Sequence, residues 1–180
     1  MTESQTSDQA FGLEPGGKGT RLATFAVRVG VALVWIQGAG WKTPPNFGED
    51  TGSGLYRYTH YAVTHEVFAP WTWFVRELVL PNFAAFGWLV LLSEAALGAF
   101  LLLGLATRFW ALVGVVQASA IMLTVSNAPS EFGGTYWLLI VANLAVFALA
   151  AGRVGGIDGV LRPVWARSSG RAAHILRRVS

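Results

Sequence analysis

FAAFGWLVLLSEAALGAFLLLGL, residues Phe83 to Leu105, is the stretch that decides the fold. At 1.5 Å per residue an apolar run of this length makes a helix about 35 Å long, enough to cross a hydrocarbon core of about 30 Å. Near its centre stands Glu94. A carboxylate at that depth costs at least about 2.5–3.5 kcal/mol unless it is protonated, paired or wetted. The run therefore predicts a membrane helix whose carboxylate needs a partner on a neighbouring helix.

Three more apolar runs surround it: Leu22 to Trp41, Phe109 to Val125 and Thr135 to Ala151. The whole chain is 53% hydrophobic and 13% charged, with a mean hydropathy of +0.48. Soluble domains carry roughly 25% charged residues, so the deficit points to lipid as solvent. The expected fold is an all-α membrane protein, a four-helix transmembrane bundle with a long, partly helical outer loop between helices 1 and 2. Residues 1–20, polar and glycine-rich, read as a disordered tail without the basic start and cleavage site of a secretory signal. Residues 21–162 form the membrane domain and 163–180 a basic cytoplasmic tail.

Charge sets the orientation. Lys18, Arg21 and Arg28 precede or open helix 1, Arg108 follows helix 2, and six arginines from Arg153 to Arg178 follow helix 4. The 126–134 turn carries Glu131 and no Lys or Arg. Both termini and the 104–108 turn therefore belong on the cytoplasmic side of a four-span cell-membrane protein. The basic balance (net +3, pI near 9.7) sits at the membrane edge, where it attracts anionic lipid. No nucleic-acid-binding fold is there to exploit it, so nucleic acid is not an expected partner. The tail from Ile157 to Val179 interleaves apolar residues with arginines and reads as an amphipathic helix on that surface.

The 42–81 segment is dense in Tyr, Trp and Phe, as membrane interfaces are. Its spacing predicts one or two short surface helices broken at Pro70 and Pro81, forming a substrate or partner surface.

Each predicted helix carries polar groups: Arg28 and Gln37, Glu94, Gln117, and Asn143. By helix rise, Arg28 lies about 9 Å and Glu94 about 17 Å from the cytoplasmic ends of their helices, a gap of roughly 8 Å that a long arginine spans. An Arg28–Glu94 pair is thus expected, with Gln37 or Gln117 as hydrogen-bond alternatives and Lys42 as a weaker candidate. Such a pair can serve as a packing device, as functional chemistry or as a subunit contact. The chain has no cysteine, so no thiolate-bound cluster or disulfide is available. His60, His65 and His174 lie outside the predicted spans, which argues against haem, and no metal site is expected. The glycines of helices 1 and 2, Gly38, Gly40, Gly98 and Gly104, suit close helix packing. No phosphate loop, dinucleotide fingerprint, serine elbow or HExxH is present.

WIQGAGWK closes helix 1, SEAALGAFLLLGLATR covers helix 2 and its turn, and AGRVGGIDGVL follows helix 4. In this order they resemble the DoxX family of small membrane proteins, and within it the DoxD-like branch, over most of Arg21 to Arg162. Glu94, Gly98, Gly104, Leu105, Thr107 and Arg108 fall on the helix 2 pattern, and Gly152, Arg153 and Asp158 on the closing element. The resemblance implies a membrane subunit of thiosulfate:quinone oxidoreductase type, with quinone and a second redox subunit as partners and no covalent cofactor. On that reading Arg28 and Glu94 form the catalytic polar centre. Gln37, Lys42, His60, His65 and Arg76 bind the anion or quinone headgroup, and Trp71, Trp73 and Trp88 wall the quinone's access. The rivals are a non-catalytic scaffold for a redox partner and a small-solute or proton pathway. Oligomeric state and electron donor are left open.

Overall fold

The computed structural model describes residues 16–129, 131–168 and 170–180, and among them the regular elements are all helical. Helix α1 is Lys18–Gly40. After a loop come α2 (Gly54–Thr64) and α3 (Ala69–Phe74), then α4 (Phe83–Leu103), α5 (Thr107–Val125) and α6 (Gly134–Ala148). Two short helices close the chain, α7 (Ile157–Ala166) and α8 (Arg171–Val179). Helices α1, α4, α5 and α6 pack in a ring, with α1 most extensively against α4 and α5 against α6. The end carrying the 41–82 segment is the loop end; the other, with the α4–α5 connection, is the turn end.

Lys18–Gly40, Ala69–Leu103 and Thr107–Val125 are long and apolar enough to cross a membrane. Gly134–Ala148 is apolar but has 15 residues, about 22 Å of helix. The disordered tail expected over residues 1–20 falls largely outside the described residues; within them the chain is already helical from Lys18. The expected break at Pro81 is absent. Helical backbone runs from Ala69 through a π turn at Val75–Val79 and a 3-10 turn at Leu80–Asn82 into α4. Proline removes one backbone donor, and the altered hydrogen-bond register of these two turns accommodates that loss without ending the helix. The surface segment does break at Pro70: α2 ends at Thr64 and α3 starts at Ala69, with Pro70 in its first turn, where an N–H has no helical acceptor to lose. The basic tail is two helices, not one.

Small residues set the packing. Ala32, Gly98, Ala111, Gly114 and Ala118 are buried along the ring's interior, where absence of side-chain bulk lets backbones approach. A Cβ at Gly98 would meet the Ile36 side chain and lie 3.3 Å from Ala32 O. Gly98→Val should therefore lower unfolding stability by about 1–3 kcal/mol. Gly30→Ala, with open space at its Cβ, should be neutral or better; thermal unfolding in detergent compares them. Opposite Gly114, Trp35 Nε1 donates to Asn143 Oδ1 (3.4 Å) and Asn143 Nδ2 to Leu139 O (2.8 Å). This satisfies a buried amide within the helix ring.

Candidate functional site

Helix α1 ends at Gly40, and the chain turns at Trp41 so that Lys42 folds back along its own helix. The Lys42 ammonium donates to Gly38 O at 2.6 Å, a helix-end carbonyl without an intrahelical donor. It also donates to Glu94 Oε2, forming an ion pair in which both side chains are buried. Gly38 makes room for this: a Cβ there would sit 3.2 Å from Glu94 Oε2. From α5, Gln117 approaches the same carboxylate. The Lys42 charge lies 4.5 Å from the Trp41 ring centroid. Burial pulls the Lys42 ammonium below its ordinary pKa, and the Glu94 carboxylate works against that pull.

The pair lies on the wall of a cavity of ≈ 620 Å³ enclosed by α1, α2, α4, α5, α6 and the α3 segment. Most of its lining is apolar or aromatic, with Trp35, Trp71, Phe74 and Phe86 among the walls. Trp71 is held in place by its indole N–H, which donates to Thr124 Oγ1 at 3.0 Å. Val34 and Leu89 line the cavity and are also 48% and 60% exposed, so it reaches the outer, lipid-type surface of α1 and α4. A second polar feature on the wall is Tyr136, whose hydroxyl donates to Glu131 Oε2 at 2.6 Å.

Of the residues expected to form the site, Glu94, Lys42 and Trp71 come together here. Gln37 is exposed on α1 and Arg76 on the π turn, neither on the cavity wall. Trp73 is exposed, and Trp88 packs edge-on against Phe47 away from the lining. His60 stacks on Tyr56, while His65 Nδ1 shares a hydrogen bond with Thr64 Oγ1 at 2.9 Å. Among the described residues no cluster of three or more His, Asp or Glu could hold a metal. The Glu131–Tyr136 pair went unread as a site; the short spacing across the start of α6 was its only sequence signal.

Arg28 does not pair with Glu94. It is fully buried at the turn end, where Nη1 donates to Leu101 O (2.6 Å) and Leu102 O (2.7 Å) and Nη2 to Gly155 O (3.1 Å). The physical reason is that the end of α4 presents carbonyls short of helical donors, and a guanidinium reaches several at once. The neighbouring turn is built around Gly104, which adopts φ 67 as the helix cap. Gly104 N donates to Leu101 O and Leu105 N to Phe100 O, the paired pattern of a Schellman end. Asp158, fully buried on α7, then accepts from Ala106 N (2.8 Å) and Thr107 N (2.9 Å), capping α5 from a distance of some fifty residues along the chain. A Cβ on Gly152 would overlap Thr107 Oγ1, so only glycine permits this docking. The Gly-Leu-x-Thr-Arg and Gly-Arg…Asp elements are thus two halves of one latch.

The sequence model described as "DoxD: TQO small subunit DoxD" matches residues 23–177. No curated protein and no solved structure matches the chain.

Proposed function

The chain belongs to the DoxD family, and from that premise we propose that it is the membrane subunit of a quinone-reducing complex of thiosulfate:quinone oxidoreductase type, with the loop-end cavity as its quinone pocket. The observation that carries this reading is the buried Lys42–Glu94 pair on the wall of an otherwise apolar cavity that reaches the lipid-type surface. Ligand pockets of this kind combine apolar walls with a few convergent polar groups. The residues fit a quinone: Lys42 and Gln117 offer N–H donors to a carbonyl oxygen, the aromatic walls suit a flat ring, and the Val34–Leu89 side lets an apolar tail pass into lipid.

Reduction of a quinone to a quinol takes two electrons and two protons. In this reading the Glu94–Lys42 pair passes one proton to the carbonyl oxygen it faces, and the other oxygen takes the second proton from water. The electrons come from thiosulfate oxidised on a second subunit. Arg28 positions the ends of α4 and α7 and does not meet the substrate. The chain crosses the cell membrane four times, α6 included, with the arginine-rich turn end in the cytoplasm.

Two variants test this. Glu94→Gln keeps an acceptor oxygen for the Lys42 ammonium, and the protein that folds should lose quinone reduction by roughly 10²-fold or more, as expected when a proton-transfer group is removed. Ala120→Trp, on the cavity wall, should abolish quinone binding measured by quenching of tryptophan fluorescence in the purified protein. A folded Ala120→Trp protein that still binds a quinone analogue at wild-type affinity would refute the pocket assignment.

A further inference from the structure

The wall of the loop-end cavity carries a second polar couple, Glu131 with Tyr136. Glu131 lies in the connection between α5 and α6, and Tyr136 stands in the first turn of α6. The phenol hydroxyl donates to Glu131 Oε2 at 2.6 Å. Both residues are half-buried, and both line the cavity. Around Glu131 the connection meets water: Asn127 and Pro129 are exposed, and Phe132 is 75% exposed. Among the described residues no Lys, Arg or His forms an ion pair with Glu131.

A carboxylate at a water border exchanges protons with solvent, and a hydroxyl both donates and accepts, so it passes a proton on by taking one and giving another. The other hydroxyls that could compete are occupied: Thr59 and Thr124 on the same wall donate to carbonyls of their own helices. A plain tie between the connection and α6 would need only an acceptor for the phenol, which a carboxamide supplies as well. A carboxylate, placed between water and a cavity-lining hydroxyl, supplies a proton carrier in addition.

We propose that Glu131 and Tyr136 carry the second proton of quinone reduction from water at the loop end to the quinone oxygen that does not face Lys42 and Glu94. The assignment rests on the reading of the cavity as a quinone pocket. Glu131 first takes a proton from water. Its new O–H donates to the Tyr136 oxygen, which reverses the bond between them and frees the phenol proton. As the ring receives two electrons from the donor subunit, the Tyr136 O–H bond breaks and that proton forms the quinol O–H. The Glu131 proton passes to the Tyr136 oxygen in the same step. One proton has then moved from water to quinol, and both residues are back in their starting forms.

The test uses membranes carrying the full chain with its donor subunit, thiosulfate as reductant and decylubiquinone as acceptor, beside tryptophan-fluorescence binding of the same quinone to the purified chain. Tyr136→Phe should bind the quinone within about ten-fold of wild type, as the loss of one hydrogen bond allows. It should reduce it about 10²-fold more slowly. Glu131→Ala should slow reduction by a similar factor, and added formate should restore it, because a small acid replaces a missing proton carrier but not a missing structural contact. Glu49→Ala, at an exposed loop-end carboxylate off the cavity wall, should change nothing. Wild-type turnover in Tyr136→Phe or Glu131→Ala, or a Glu131→Ala loss that formate leaves in place, would overturn the relay while the pocket stands. Wild-type protein that binds no decylubiquinone would overturn the pocket and the relay with it.

Discussion

Lys42→Met alone is expected to destabilise the protein by about 3–5 kcal/mol, because it leaves Glu94 buried with its charge partner gone. The double variant Lys42→Met/Glu94→Met should recover most of that loss. Buried ion pairs are often no more stabilising than well-packed apolar residues of similar volume, since their attraction is offset by the cost of removing both ions from water. The contrast separates two roles. If the pair exists for packing, the double variant is both stable and active. If it serves the reaction, the double variant is stable, keeps its fold by thermal unfolding, and reduces no quinone. Single and double variants measured side by side in detergent give the coupling energy directly. A double variant as unstable as Lys42→Met would show that the polar groups hold the ring together by contacts other than their mutual attraction.

The second large effect is expected at the latch. Asp158→Ala removes two charge-assisted hydrogen bonds and strands the Ala106 and Thr107 amides at the start of α5. Losing them should cost about 3 kcal/mol or more. Arg28→Leu should cost a similar amount, since it removes guanidinium donors from the carbonyls of Leu101, Leu102 and Gly155 together. The two side chains attract across the turn end, so their effects should be less than additive in a double-mutant cycle. Both variants should lower accumulation and unfolding temperature. Quinone affinity of the folded fraction should stay unchanged, because the latch lines no part of the cavity. A folded Arg28→Leu protein with lost quinone affinity would return Arg28 to the site.

Glu94 shows how far the sequence could be read and where reading stopped. Its depth in an apolar run follows from counting residues, so the need for a partner was legible. The identity of the partner was not. Helix rise put Arg28 within reach, but rise says nothing of what else competes for a guanidinium. The end of α4 offers it carbonyls short of donors, and those win. Lys42 looked too far out because a straight α1 would carry it into the headgroups; the turn at Trp41 brings it back. Pro81 misled for a related reason. Its missing donor is a local fact, while the π turn that precedes it packs against α2. The closing Gly-Arg…Asp element was visible as a motif, but Asp158 caps residues some fifty positions earlier, and no local rule points there.

Composition and blocked hydropathy determined by themselves that this is a helical membrane protein, and ordered motifs determined its family. Both are carried by interactions within a turn or two of each residue, or by transfer of single helices from water to lipid. The tertiary structure alone decided that Lys42 neutralises Glu94, that Arg28 and Asp158 bind the turn end together, and that a cavity opens beside the first pair. Those outcomes depend on which unsatisfied groups meet when distant helices pack, and only the packed chain brings them within hydrogen-bonding distance.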